Sequence, residues 1–154
     1  MSRGARVSDK DNGFRALVQR LKKADAAITV GVHAADGATT YANGATVLDV
    51  ATFQEFGTST IPERSFVRAW FDLEEGHARE LLTRLLKQTL DGNLTVKQAL
   101  DQVGLWCVGG IQERIASNIP PPLASSTIAR KGSSVALIDT GVLRSSITHK
   151  VEGV

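Results

Sequence analysis

The sequence predicts an α+β fold in which two long helices pack on a small, mainly antiparallel sheet, with extended loops between the elements. Two stretches in the middle of the chain place apolar residues at helical spacing. Short segments with alternating apolar residues lie nearer the two ends and indicate strands. The chain has 154 residues, the size of one domain. We therefore expect residues 1–27 to form a basic N-terminal segment with a helix, and residues 28–154 to form a single α+β domain.

Four elements are predicted before the first long helix. Residues 13–24 carry apolar side chains at helical spacing, namely Phe14, Leu17, Val18 and Leu21. Residues 28–33 alternate with period two, which indicates a half-buried strand with its β-branched residues on one face. Residues 34–45 contain Gly and Asn-Gly turn signals and predict a loop. A short helix follows, with Val47, Val50, Ala51 and Phe53 as its apolar residues, and we expect it to end at Gly57.

The two long helices are predicted from wide apolar stripes. After a turn that begins at Pro62, the first stripe consists of Ala78, Leu81, Leu82, Leu85, Leu86 and Leu90. Asp91-Gly92-Asn93 is expected to end this helix. Thr95 and Gln98 have the spacing of a capping box at the start of the second helix. Its buried seam is predicted to be Val96, Ala99, Leu100, Val103, Cys107, Ile111 and Ile115.

Glycines inside the second long helix need an explanation. Gly104, Gly109 and Gly110 each lower helix propensity by about 1 kcal/mol relative to Ala. We expect either a neighbour that approaches the backbone closely or a kink.

The remaining elements follow the second long helix. Pro120–Pro122 predicts an extended segment, and helical turns are predicted over residues 125–130 and 141–146. Residues 136–138 form a short apolar segment, and the last strand is predicted over residues 147–151.

The composition excludes several classes of protein. Hydrophobic residues make up 42% and charged residues 22% of the chain, which is ordinary for a globular protein. A single cysteine, Cys107, excludes an internal disulfide and a zinc site built from cysteines. His33, His77 and His149 are too scattered for a metal-binding signature, and no phosphate-binding glycine pattern occurs. No apolar run approaches the roughly 18 residues of a membrane span. We therefore expect no metal, no cofactor and no membrane contact.

Charge is distributed unevenly along the chain. The net charge is about +5 in residues 1–23, about −6 in residues 24–113 and about +3 in residues 114–154. This pattern suits attraction between copies of the chain, or a basic arm of Arg3, Arg6 and Lys10 lying on nucleic acid. Solvated helix faces with a basic tail are the other interpretation. Aromatic residues at only 5% weaken a role that depends on stacking with bases.

One short pattern suggests catalysis. Asp139-Thr140-Gly141 matches the Asp-Thr-Gly of aspartic proteases, in which two carboxylates share a proton to activate water. A single copy would require a dimer. The protease fold places this aspartate early and builds a largely β barrel after it, whereas 13 residues follow the pattern here. We therefore predict that the chain is not an enzyme, with an aspartic-type protease as the least favoured alternative.

Two segments resemble a known family. Residues 53–68, Phe-Gln-Glu-Phe-Gly-Thr-Ser-Thr-Ile-Pro-Glu-Arg-Ser-Phe-Val-Arg, closely resemble a stretch of the small neck and tail-completion proteins of tailed bacteriophages. Residues 121–147, with Arg130-Lys131-Gly132 and Leu137-Ile138-Asp139-Thr140-Gly141, resemble a second segment of the same virion-morphogenesis group. The resemblance spans about residues 28–154. The family usually has proline where this chain has Ser65, so we expect a less rigid turn before Phe66.

The resemblance implies a structural virion protein. Such a subunit forms a ring at the head–tail neck or the tail end, completes the tail and joins it to the head. We expect a homo-oligomer, with a six-fold ring preferred over a twelve-fold one, in contact with other neck and tail-tube proteins and non-specifically with DNA in the channel. The protein would be made in the host bacterial cytoplasm and located in the virion. The alternative function is a non-specific nucleic-acid-binding module.

The two segments also suggest which residues join the subunits. An aromatic side chain beside arginines is typical of protein interfaces. The predicted interface residues are Glu55, Phe56, Arg64, Phe66, Arg68, Asp139 and Arg144. Asp139 is predicted to cap the helical turn after it, and Arg144 to pair with a carboxylate such as Glu55 of the same or a neighbouring subunit. The alternatives are that Phe66, Trp70 and Phe71 are core residues, and that the three arginines are ordinary surface residues.

Overall fold

Two strands from opposite ends of the chain pair to form the sheet. The computed structural model describes residues 15, 18–19, 25–41, 43–131, 137 and 141–153. Strand β1 (Ala27–Val32) pairs antiparallel with strand β2 (Ile147–Glu152), and Ala27 lies opposite Glu152. Ile28, Val30 and Val32 are half-buried against the core. The prediction of two strands near the ends of the domain is confirmed.

Six helices lie between the two strands in the described ranges. They are α1 (Ala34–Gly37), α2 (Val47–Phe56), α3 (Arg68–Leu90), α4 (Val96–Ala116), α5 (Ser125–Lys131) and α6 (Val142–Ser145). The α+β fold class and both long helices are therefore confirmed. The predicted helix over 13–24 lies outside the described residues except for 15, 18 and 19, and the apolar segment 136–138 is described only at Leu137, which is buried.

The prediction of a loop over residues 34–45 is wrong for Ala34–Gly37. The carbonyl oxygen of His33 accepts hydrogen bonds from the N–H groups of Asp36 at 3.0 Å and Gly37 at 2.8 Å, which closes one helical turn. Gly37 is buried, and a side chain there would crowd Leu48 and Val32. The turn therefore exists because a glycine lets the chain pass close to the start of α2.

Local signals at the helix ends act as the sequence predicts. The N–H of Gln98 donates to Oγ1 of Thr95 at 3.1 Å, and the N–H of Thr95 donates to Oε1 of Gln98 at 2.9 Å, which is a complete capping box. Thr46 and Asp49 form another at the start of α2. Gly57 ends α2 with a φ of 71°.

Helix α4 is the centre of the domain. It packs on both strands and on α3. Its predicted seam is buried at Ala99, Leu100, Val103, Cys107, Ile111 and Ile115. The sheet contributes Ile147 to the same core. In the described part of the domain, the sheet and α3 therefore both pack on α4.

The glycines of α4 mark where neighbours meet its backbone. A Cβ atom at Gly110 would overlap the indole ring of Trp70 on α3, and one at Gly104 would overlap the imidazole of His149 on β2. A Cβ atom at Gly109 would have no other heavy atom within 4 Å. Close approach is therefore the correct explanation for Gly104 and Gly110, which let α3 and the sheet pack tightly on α4.

Replacement of these glycines by alanine is expected to have opposite effects at neighbouring positions. Gly110→Ala should destabilise the fold by about 1–3 kcal/mol, because the new methyl group displaces Trp70 from a well-packed core. Gly109→Ala is the matched control and should stabilise by up to about 1 kcal/mol, since it gains helix propensity at an open position. Urea unfolding of both variants measures the difference. Equal stabilisation by the two substitutions would contradict the packing described here.

Candidate subunit interface

The side chain of Glu55 connects the end of α2 to the start of α3 through hydrogen bonds. Its Oε1 accepts hydrogen bonds from Oγ of Ser65 at 2.7 Å and from the N–H of Arg68 at 2.9 Å. Its Oε2 accepts from the N–H groups of Phe66 at 2.8 Å and Val67 at 3.0 Å. The first N–H groups of a helix have no partners within the helix. Val67, the residue that precedes α3, has no side chain able to cap it, so Glu55 does this from another helix.

The charge of Glu55 is stabilised where it lies. The residue is 7% exposed. Burial by itself would raise the pKa of the Glu55 carboxyl, but the hydrogen bonds from Val67, Ser65, Arg68 and Phe66 outweigh that effect and lower the pKa below its ordinary value. The partial positive charge at the start of α3 acts in the same direction. Glu55 is therefore a fixed anion inside the chain.

Ser65 forms two side-chain hydrogen bonds that a proline at this position could not form. Its hydroxyl donates to Glu55 and accepts from the N–H of Ala69 at 3.1 Å, so it caps the first turn of α3. The residue is 8% exposed. Proline has no hydroxyl and would supply neither bond. The turn before Phe66 is therefore held by hydrogen bonds where a proline ring would restrict it covalently.

The segment between α2 and α3 is tightly folded. A Cβ atom at Gly57 would lie 2.9 Å from the backbone nitrogen of Glu63, so no larger residue fits without a shift. The N–H of Arg64 donates to the carbonyl of Gln54 at 2.7 Å. The guanidinium of Arg64 is buried, its Nε donates to the carbonyl of Pro121 at 2.9 Å, and burial lowers its pKa. The hydrogen bond from Arg64 thus connects the segment between α2 and α3 to the residues that follow α4.

The aromatic residues after this segment belong mainly to the core. Phe66 is 1% exposed and Trp70 is 7% exposed, and Phe71 is half-buried against them. Trp70 contacts both Phe71 and Trp106, with ring centroids 5.0 Å and 4.9 Å apart. The alternative interpretation of Phe66 and Trp70 as core residues is confirmed.

The residue next to the buried Glu55 is exposed. Phe56 is 64% exposed, although it is a large apolar side chain. Leu48 and Phe53 of the same helix are 47% and 41% exposed. Phe53 was expected on the apolar face of this helix, and the structure instead buries Val47, Ala51 and Glu55.

The remaining predicted interface residues are not brought together at one point. Arg68 is exposed and forms an ion pair with Glu63. Arg144 is exposed on α6, which packs against α2. Asp139 lies outside the described residues. Among the described residues, no ion pair joins Arg144 to Glu55, because four donors of the chain itself already occupy that carboxylate.

A groove of about 510 Å³ lies between the two long helices. It is lined by the half-buried Trp106 of α4 and by His77 and Leu81 of α3. Elsewhere on these helices, Leu73 of α3 is 69% exposed and Leu105 of α4 is 62% exposed.

A second groove, of about 460 Å³, lies between β1 and α3. It is lined mostly by apolar side chains, among them Ile28, Val30, Phe71 and Leu82, and by Cys107. Burial raises the pKa of the Cys107 thiol to about 11, which keeps it protonated and unreactive. In the described ranges, no group of three or more His, Cys, Asp and Glu side chains is placed to hold a metal ion. None of the helices found there has the length and apolar character needed to cross a bilayer.

Comparison of the chain with models of known families, with curated proteins and with solved structures finds no match.

Removal of the charge of Glu55 is expected to weaken the fold. Glu55→Gln should lower the free energy of unfolding by about 1–3 kcal/mol at pH 7, because the amide nitrogen presents a donor where the carboxylate accepted two bonds. Glu63→Gln, at an exposed ion pair, is the matched control and should change it by less than about 0.5 kcal/mol. Urea unfolding measures both. The idea fails if the two variants behave alike.

The effect of Glu55 is also expected to depend on pH. The pKa of Glu55 is lower in the folded chain than its ordinary value of 4.5, so the ionised side chain stabilises the fold at pH values above 4.5. This stabilisation is lost as the pH falls through the pKa that Glu55 has in the folded chain. The stability difference between the wild type and Glu55→Gln should therefore shrink below about pH 4.5. Unfolding curves between pH 7 and pH 3 measure this difference. A constant difference across that range would contradict the lowered pKa.

The buried thiol is expected to react slowly. At pH 8 a thiol with a pKa of about 11 has roughly 100-fold less thiolate than one with the ordinary value of 9.0. Alkylation of Cys107 in the native chain should be slower by at least that factor than in the chain unfolded by urea. The rate of modification can be followed by mass spectrometry. Equal rates in the two states would show that Cys107 is accessible.

Proposed function

We propose that this chain is a structural subunit of a tailed bacteriophage virion. Copies of it form a ring at the head–tail neck or at the end of the tail, complete the tail and join it to the head. Six copies close the ring in this proposal, and the neighbouring neck and tail-tube proteins contact its two faces. The protein is made in the cytoplasm of the bacterial host and functions in the virion.

The observation that carries the proposal is the exposure of Phe56 beside the buried Glu55. Both residues belong to the segment of the sequence that resembles tail-completion proteins. Glu55 holds this segment in one conformation, and Phe56 extends into solvent with 64% of its surface exposed. Large apolar side chains that are held rigidly at a surface are typical of protein interfaces. The segment therefore has the character of a contact surface.

The two resembling segments also lie next to each other in the fold. Nε of Arg64, in the first segment, donates to the carbonyl of Pro121, where the second begins. Leu143 of the second segment is buried where α6 packs against α2. Adjacent segments can form one continuous surface, which supports a common role in assembly.

Purified virus particles test the proposal. If the gene is removed from a phage that carries it, heads and tails should accumulate separately, and a plasmid copy of the wild-type gene should restore joined particles visible by electron microscopy. Quantitative mass spectrometry of purified particles should find the chain in about six copies for each tail. Joined, infective particles that lack the chain would overturn the proposal.

A further inference from the structure

The groove between β1 and α3 is lined mainly by apolar side chains of three elements. They come from β1, α3 and α4, and include Ile28, Val30, Phe71, Leu82, Val103 and Cys107. The charged residues of the described lining, Glu75 and Arg79, form an ion pair with each other at 2.6 Å. An occupant of this groove must therefore be apolar on the side that enters it.

Residues 13–24 join the fold close to this groove. They lead through Asp25 and Ala26 into β1, whose second residue is Ile28. A Cβ atom at Gly153 would overlap the carbonyl oxygen of Asp25, so the chain at Asp25 lies against the residue that follows β2. The residues from 24 to 28 span at most about 14 Å. The segment therefore begins within that distance of Ile28 in the groove.

The segment has the sequence pattern of a helix with one apolar face. Its apolar residues lie three or four positions apart, which places them on one side of a helix, and they are Phe14, Leu17, Val18 and Leu21. The structure describes residues 15, 18 and 19 of this segment as helical. Val18 is half-buried, whereas Arg15 and Gln19 are exposed. Because a helix of about 12 residues is only marginally stable alone in water, it needs an apolar surface to pack on.

Charge also favours a contact between this segment and α3. Residues 13–24 carry four basic side chains and no acidic one. The part of α3 that lines the groove, residues 71–82, carries four acidic side chains, one arginine and one histidine. Complementary charges around a contact favour the correct partner over others. The basic segment is therefore suited to lie beside this part of α3.

We infer that residues 13–24 cover the groove between β1 and α3 of their own chain, with the apolar face of the segment against the lining. The segment is tethered a few residues from the groove, so its effective concentration there is about millimolar or higher. A separate partner molecule would have to compete with this concentration. The contact does not require the proposed role in the virion.

Hydrogen–deuterium exchange of the full chain tests the inference. Amides of residues 14–24 should be protected in the wild type. Leu17→Ser in the segment and Leu82→Ser in the groove should each speed their exchange at least about tenfold, because each removes a leucine from the apolar contact. Gln19→Ser, at an exposed position of the segment, and Leu105→Ser, at an exposed position of α4, are the matched controls and should change it by less than about twofold.

Several results would overturn the inference. They are the absence of protection over residues 14–24 in the wild type, equal effects of Leu17→Ser and Gln19→Ser, and unchanged protection in Leu82→Ser, which would mean that the segment packs elsewhere. Protection that rises with protein concentration would also overturn it, since a neighbouring copy would then hold the segment. Exchange of the α4 amides shows whether each variant is folded, and Val30→Ser replaces Leu82→Ser if α4 loses its protection.

Discussion

The arrangement of this domain depends on one carboxylate. Glu55 of α2 accepts four hydrogen bonds from residues 65–68 and so adds a cap from another helix to the one that Ser65 gives the first turn of α3. Because four bonds converge on two oxygen atoms, the end of α2 has a fixed position relative to the start of α3. Helix α3 packs on α4, and α4 carries the sheet. The orientation of the short helix therefore depends on this polar contact as well as on the burial of Val47 and Ala51.

This constraint explains how neighbouring residues can have opposite roles. Successive residues on a helix point about 100° apart, so a helix that buries Glu55 must turn Phe56 away from it. Leu48 and Phe53 of α2 are partly exposed as well. The hydrogen bonds of Glu55 hold the end of the helix with Phe56 at the surface.

Local signals in the sequence predicted most of the fold, whereas contacts between distant residues were not predictable. The capping box of Thr95 and Gln98 and the end of α2 at Gly57 depend on residues within a few positions, and both were predicted correctly. The glycines of α4 indicated either close packing or a kink, and only the positions of Trp70 and His149 decide between them. In the candidate site, Glu55 lies between Gln54 and Phe56, and this local pattern gives no sign that its partners lie ten to thirteen residues further on. Leu73 and Leu105 lie outside the apolar stripes predicted for the two long helices, and both are exposed.

The pairing of β1 with β2 joins residues that are about 120 positions apart in the chain. Such a contact closes a long loop, and its entropic cost must be met before the sheet can form. During synthesis, α3 and α4 leave the ribosome well before β2 does. Until then, the side of α4 that carries Ile111 and Gly104 has no strand β2 to cover it. Strand β2 therefore completes the hydrophobic core with Ile147, and a nascent chain truncated before Ile147 would expose apolar surface to chaperones and proteases.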